Sequence, residues 1–436
     1  RRTSQAPDAS PKAYAETRAR GRIFYGWWMV ASACVLQFVQ SGVLLQSLGA
    51  YVAVLRDEFG WSKTALAGAA VIMQVENALL GPIQGWIADR FGPRQMIRGA
   101  IIVFGAGFML LRRVESLLGF YAAFVVIAIG AALSGYFPLT VVLIRWFERK
   151  RSRALSTMQL GFAAGGMAVP AVAWSLLTLG WRDTAFASGV LIIVAGWPLA
   201  SMLRARPEDQ GESVDGEAAP SASSARAPAG EARALPDYTA REALRTSAFW
   251  FISLGHGAAL LAVGAVNVHA ITHMKEGLGY SIATASLVIG IMTFSQFAGI
   301  LLAGAIGDRF QKRLLSAGCM VLHVAGLLFL TYAVSFAMVI AFAVLHGLAW
   351  GVRGPLMGAI RADYFGRSSI GLIMGFSSLV TFVGQVSGPI IAGLLADATG
   401  DYRAGFTVVA VLSAFGSAFF FLARHPRGAV ALQSNA

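Results

Sequence analysis

The chain has 436 residues, 56% hydrophobic and 13% charged, and its 35 Lys+Arg against 22 Asp+Glu give a formal net charge of +13. A soluble domain carries about 25% charged residues, so there is too little charge here to cover a water-exposed surface. With a mean hydropathy of +0.64, the composition argues against a soluble enzyme, a disordered chain or a nucleic-acid binder and predicts an integral membrane protein.

Residues 1–22 are polar and lack the apolar core of a signal peptide, so the first long apolar run is expected to be retained as a membrane helix. A bilayer span needs about 20 mostly apolar residues, and six such runs occupy the first half of the chain. They are Trp28–Leu55, Thr64–Ala88, Met96–Leu111, Leu117–Ile144, Ala154–Trp181 and Thr184–Leu203. The second run carries Gln74-Val-Glu76-Asn77. Glu76 is an acid in mid-span, which reads either as a proton-coupling site or as a neutral hydrogen-bonded carboxyl joining helices; Asn77 beside it is a candidate cargo contact. The run ends in Gly85-x-x-x-Asp89-Arg90-x-Gly92-x-Arg94, and the fourth ends in Arg145-Trp146-Phe147. The fifth is rich in glycine (Gly161, Gly165, Gly166) and contains Pro170, a composition for close helix packing.

A stretch rich in Ala, Ser, Pro and Gly follows, which cannot bury enough apolar area to fold and reads as a flexible linker over 205–247. Six further runs come after it: Ala248–Met274, Ser281–Ile306, Leu314–Val334, Phe336–Ile360, Ile370–Ala396 and Ala404–Ala423. The seventh carries His256, His269 and His273; His269 could titrate and couple protons at the outer mouth, or be a satisfied polar group near a helix end. The eighth offers Ser295 and Gln296, and the eleventh Thr381 and Gln385, with Gly384, Gly388 and Pro389. Arg353 lies some seventeen residues into the tenth run, or about 26 Å at 1.5 Å per residue. An ionisable group at that depth costs from about 3 to over 10 kcal/mol unless it meets a partner or a wet cavity. It reads as a guanidinium fork for a cargo carboxylate, or as half of a structural ion pair. Cys34 and Cys319 both lie in apolar runs and form no disulfide framework. No ligand spacing suggests a metal or cofactor, and no nucleophile or phosphate-loop motif suggests an enzyme.

Basic residues alternate between the two sides. Only Arg56, Lys63, Arg112, Arg113, Arg182, Lys275 and Arg403 fall on the loops that share a side with the first outer turn. The positive-inside rule then places both termini in the cytoplasm. The +13 is a topology signal, and the nucleic-acid reading falls.

The two halves repeat. Gly85-Trp-Ile-Ala-Asp89-Arg90-Phe91 recurs as Gly304-Ala-Ile-Gly-Asp308-Arg309-Phe310, Pro170 as Pro389, and Pro138-Leu139 as Pro355-Leu356. Several matches in order at a near-constant offset predict an all-α membrane protein of twelve transmembrane helices in two pseudo-symmetric six-helix halves. Its expected divisions are a tail over 1–25, halves over 26–204 and 248–424, the linker over 205–247 and a tail over 425–436.

This architecture and the loop after the second span closely resemble the major facilitator superfamily. The resemblance implies a secondary transporter that binds cargo near the midplane and alternates access by rocking. It also implies that Gly85, Asp89, Arg90, Arg94 and Arg145 form a conformational latch, Asp89 pairing with Arg145 and with the N-terminal end of the eleventh helix. Asp308, Arg309 and Arg361 form the mirror image, in which Gln311 stands where a glycine is expected. The glycine-rich fifth and eleventh helices are implied to lie between the halves. Tyr25-Gly26-Trp27-Trp28, Arg145-Trp146-Phe147, Arg206-Pro207-Glu208-Asp209 and Asp363-Tyr364-Phe365-Gly366 look like the monocarboxylate and oxalate/formate transporter branch. That branch moves small organic anions with protons or by exchange. Its basic residues on helices 8 and 11 have no counterpart here, which leaves Arg353, with Gln296, Gln385 and Asn77, as the expected cargo contacts and Glu76 and His269 as the expected proton-coupling groups. The expected setting is an inner or plasma membrane, with the carrier acting as a monomer. Alternatives are a carrier or exporter of a neutral or cationic solute in the same fold, and a transporter-like membrane sensor.

Overall fold

A computed structural model describes residues 23–216 and 237–426, apart from the side chains at 63–64, 67–71, 73–75 and 77–79. Most of both tails, the middle of the linker and the Asn77 side chain therefore lie outside the described residues.

Twelve long helices carry the chain among the described residues. We number them α1 (Tyr25–Phe59), α2 (Lys63–Phe91), α3 (Pro93–Leu111), α4 (Leu117–Trp146), α5 (Arg151–Thr178), α6 (Trp181–Met202), α7 (Ser247–Gly277), α8 (Ile282–Ile306), α9 (Lys312–Thr331), α10 (Phe336–Phe365), α11 (Ile370–Thr399) and α12 (Arg403–Leu422). Eleven of them, α1 and α3 to α12, are long and apolar enough to cross a membrane, counted over the described residues. Helices are what such a sequence must form, because hydrocarbon offers no partner to a free N–H or C=O. Their ends are marked by hydroxyl caps, as where Ser62 accepts from Ala65 N and Thr246 from Phe249 N. Gly92 and Gly366, at φ +82 and +84, turn the chain where α2 and α10 stop.

Two helices are irregular where they meet. A π turn over Ser41–Leu45 in α1 faces a 3-10 turn over Gly165–Ala168 in α5, and Ser41 Oγ donates to Phe162 O at 2.8 Å. The chain kinks in α4 at Gly135, and Gln40 Nε2 donates to the Ala131 carbonyl at 2.6 Å, so a backbone acceptor at the break is satisfied.

The halves are built alike. In the N-terminal half α1 packs on α5, α2 on α4 and α3 on α6; in the C-terminal half α7 packs on α11, α8 on α10 and α9 on α12. Between halves the largest contacts are α2 with α11 and α5 with α8, again a symmetric pair, and α10 also touches α5 and α4. The N-terminal core runs across this junction to Ala359, Ala362, Ile370 and Met374, all near the end where α10 stops and α11 starts. The halves are thus closed together at one face.

Glycine packing differs from the expectation. A Cβ on Gly161 would come within 1.9 Å of Cys34 O in α1, one on Gly384 within 2.1 Å of Gly257 O, and one on Gly388 within 2.0 Å of Leu261 O, both in α7. These glycines seat α5 and α11 inside their own halves. The seam between halves is made by other glycines: Gly81 against Gly375, and Gly85 against Gly371, with added Cβ atoms within 3.0 Å and 2.4 Å of the facing carbonyls. A small residue every fourth position brings the two backbones together.

Candidate transport site

A cavity of about 310 Å³ lies just beyond that seam, on the midplane side. Gln37 and Gln40 of α1, Gln84 of α2, Tyr136 of α4, Phe162 of α5 and Ser378 of α11 line it. Its polar lining is amide and hydroxyl, supplied chiefly by the N-terminal half. Of the expected cargo contacts, Gln296 and Gln385 stand elsewhere, half-buried, with backbone carbonyls against Gly351 and Gly264.

Arg353 is 1% exposed, and its Nε and Nη1 have no hydrogen-bond partner among the described residues. It lies within electrostatic reach of Tyr136, which lines the cavity, and of Arg361. Gln159 of α5 meets α10 beside it, with Oε1 2.8 Å from where a Cβ on Gly354 would stand. By the 217-residue offset of Pro138 and Pro355, Arg353 occupies the position of Tyr136 in the other half. Both oxygens of Glu76 are likewise buried without a partner among the described residues. The two groups form no ion pair with one another among the described residues.

Arg361 corrects an expectation. Instead of mirroring Arg145 opposite Asp308, it turns into the C-terminal half. Its Nη2 donates to Ser377 Oγ at 2.6 Å and meets His256 Nδ1 at 3.1 Å, and its Nη1 donates to Met357 O at 2.6 Å. The cause is register: under the same 217-residue offset Arg145 corresponds to Ala362, and one residue is about 100° of helix rotation. Arg361 therefore joins Arg353 as a second buried guanidinium with no carboxylate beside it among the described residues.

His269 Nε2 bonds the Pro389 carbonyl at 2.9 Å, with its ring on Tyr402. This geometry ties α7 to α11 within one half.

The closed face is held by carboxylates on helix starts. Asp89 accepts from Arg145 Nη2 at 2.8 Å and from Leu372 N at 3.1 Å, at the start of α11. Asp308 accepts from Ser152 N at 2.7 Å and Arg153 N at 3.1 Å, at the start of α5. Each acid at the end of one half's helix faces the positive N-terminal end of a helix in the other. Of the remaining residues in these loops, Arg90 is exposed over the Trp86 and Phe91 rings and Arg309 is exposed; Arg94 lies within electrostatic reach of Arg98 and Arg204. Two further ties cross the halves: Arg151 pairs with Asp363, which Lys312 also holds at 2.8 Å, and Arg367 Nη1 donates to the Arg145 carbonyl at 2.9 Å. Arg151 was hidden in a basic run and Asp363 in a loop motif; neither carries a sequence signal that they meet.

The described ends of the linker are docked. Asp215 accepts from the backbone N–H groups of Glu148, Arg149 and Lys150, and Tyr238 N donates to Phe365 O.

Two like-built helical halves, closed at one face over a midplane cavity, define a polytopic membrane transporter. The chain belongs to the Major Facilitator Superfamily, whose family model matches residues 29–268 and again 252–435. It is similar to monocarboxylate transporter 13 of Bos taurus, at 23% identity over 92% of this chain and 90% of that protein. It is also similar to the oxalate:formate antiporter of Oxalobacter formigenes, at 25% identity over 92% of each. Among solved structures, the Major Facilitator Superfamily transporter FucP in the outward conformation shares the fold with a TM-score of 0.68 at 14% identity, over 91% of this chain and 99% of that one.

Proposed function

We propose that this transporter carries small organic anions by alternating access, coupled to proton symport or to exchange of a counter-anion. The observation that carries this reading is Arg353, a fully buried guanidinium whose Nε and Nη1 donors have no partner among the described residues. A buried cation without an acceptor is strongly unfavourable. A cargo carboxylate would supply both acceptors in the planar two-point geometry a guanidinium offers. Tyr136 lines the cavity and lies within electrostatic reach of this group, so the reading has cargo enter past Gln40, Gln84 and Ser378 and reach Arg353 as the halves move. The similarity to carriers named for monocarboxylates and for oxalate and formate agrees with this cargo class. Asn77, Gln296 and Gln385 remain secondary proposals as cargo contacts, and Glu76 and His269 as proton-coupling groups, Glu76 the stronger because its oxygens are unpartnered.

In the same reading the closed face is cytoplasmic, on the charge asymmetry of the loops, and both termini lie there. The halves run over 26–204 and 248–424, and the protein works as a monomer in an inner or plasma membrane. Asp89, Asp308 and their partners act as the latch that keeps the cytoplasmic face shut.

The test is uptake of a labelled organic-acid panel into proteoliposomes, with and without an inward proton gradient. Wild type is expected to take up one or more anions, and Arg353→Gln to lose more than tenfold while yield and thermal stability hold. Arg353→Lys keeps the charge without the fork and should recover part of the rate. Anion uptake unchanged in Arg353→Gln would make Arg353 structural; no anion uptake by wild type would favour a neutral or cationic cargo.

A further inference from the structure

The arginines at the start of α3 have no acid to answer them among the described residues. Arg94 and Arg98 stand one turn apart on α3, and Arg204 follows the end of α6, which lies against α3 with Gly105 on Gly189 and Gly196 on Ile101. The charged groups acting on Arg94 are Arg204 and Arg98, and the remaining titratable neighbour is Tyr25, whose hydroxyl donates to Met202 O at 2.7 Å. The Nε atoms of all three arginines are buried without a hydrogen-bond partner, and no described ion pair includes any of them. The start of α3 adds to this field, because its N-cap is Gly92 and no side chain caps its first-turn N–H groups. Three like charges brought together without an acid repel each other, so the arrangement lacks an anion.

The position on the molecule says which anion. The Arg98 guanidinium lies 4.2 Å over the Trp197 ring, and Trp28, Trp86 and Trp197 are all exposed near this same end. Exposed tryptophans at one level mark the boundary between hydrocarbon and headgroups. The repeat offers an internal contrast. Arg313 and Arg424 hold the equivalent positions, at offsets of 219 and 220, and with Lys312 they line a crevice of about 550 Å³. That crevice contains Asp363, which Lys312 and Arg151 already hold. The N-terminal cluster has no such acid among the described residues.

We propose that Arg94, Arg98 and Arg204 form a binding site for the phosphate of an anionic phospholipid headgroup. The N–H groups at the start of α3 add donors, and Trp197 packs at the glycerol level beside Arg98. A basic cluster at the headgroup level favours anionic over zwitterionic lipid by about fivefold per arginine.

The experiment counts lipid bound to the full-length protein by native mass spectrometry in a neutral detergent, titrated with phosphatidylglycerol, phosphatidylcholine or inorganic phosphate. Wild type should retain phosphatidylglycerol at least about tenfold better than phosphatidylcholine, and millimolar inorganic phosphate should not displace it. The triple variant Arg94→Gln, Arg98→Gln, Arg204→Gln should lose the preference, and Arg313→Gln, Arg424→Gln should keep it. Equal retention of the two lipids by wild type overturns the proposal without any substitution, so a poorly folding variant leaves it testable. Retention unchanged in the triple variant also overturns it, and displacement by inorganic phosphate would reassign the cluster to a soluble phosphate.

Discussion

Asp89 uses one carboxylate for two contacts, one inside its own half with Arg145 and one across to Leu372 N. Asparagine in its place can still accept from Leu372 N but cannot neutralise Arg145, whose side chain is 10% exposed. Loss of that pair weakens the N-terminal half itself; across the seam, asparagine keeps the backbone bond and gives up the carboxylate charge at the N-terminal end of α11, which is worth about 1 kcal/mol and up to about 2 in a partly buried geometry. One kcal/mol is about a fivefold shift of the equilibrium away from closure of this face. Asp89→Asn should therefore reduce transport much more than cargo binding to the purified protein, measured by initial uptake rate and by isothermal titration with the same anion. Equal losses in both would remove the latch role. The Asp89–Arg145 pair was expected from the resemblance of its loop to the superfamily signature, and the burial of Arg353 was legible because a charge in an apolar run has few places to go. Arg361 was not, since a one-residue slip between the repeats turns it to another face. Nor were Gln37, Gln40 and Gln84: an amide in a helix does not announce which neighbour it faces, and only the packing of α1 on α5 and of α2 on α4 turns these three toward one cavity.

Glycine does different work in different elements. On α2 and α11 it forms the surface along which the two halves meet; on α5 it seats the helix against α1, and at Gly384 and Gly388 against α7. Overpacking a tight contact costs about 1–3 kcal/mol, but which equilibrium is charged with it depends on the element. Gly85→Ala places a methyl 2.4 Å from the Gly371 carbonyl across the seam, so it should open the closed face and leave the fold of each half intact. Gly384→Ala meets Gly257 inside one half and should lower thermal stability without changing the open fraction. Spin labels at Phe91 and Ser369 separate the two by double electron–electron resonance, read beside a melting curve for each variant. Longer distances in Gly384→Ala, or an unchanged distribution in Gly85→Ala, would contradict this division. The twelve runs and their repeat were legible because span length and hydropathy are properties of single elements. The partner of each glycine stripe was not, because a stripe of small residues says that something approaches closely and nothing of which helix does so.

At the scale of the whole molecule, symmetry makes the closure a sum of separate contacts on two rigid halves. One corner is held by Asp89 at the start of α11, and the opposite corner by Asp308 at the start of α5. Arg151–Asp363 and the Arg367 bond to the Arg145 carbonyl cross the interface beside them. If the halves move as bodies, no corner can open alone, and weakening any contact must change one shared equilibrium. Asp363→Asn tests this well, because it leaves the Arg151 side chain, 0% exposed, without its acid, and it touches neither Asp89 nor the glycine seam. Label pairs across α2 and α11 and across α5 and α8 should then report the same increase in open fraction. Because Asp89 and Asp363 share no direct partner, the double variant with Asp89→Asn should shift that fraction by the sum of the two free energies, to within about 0.5 kcal/mol. Unequal fractions at the two pairs would mean that α5 and α8 part locally while α2 and α11 hold. The closed face would then be a set of independent gates, and the repeat would describe the ancestry of the fold without describing its motion.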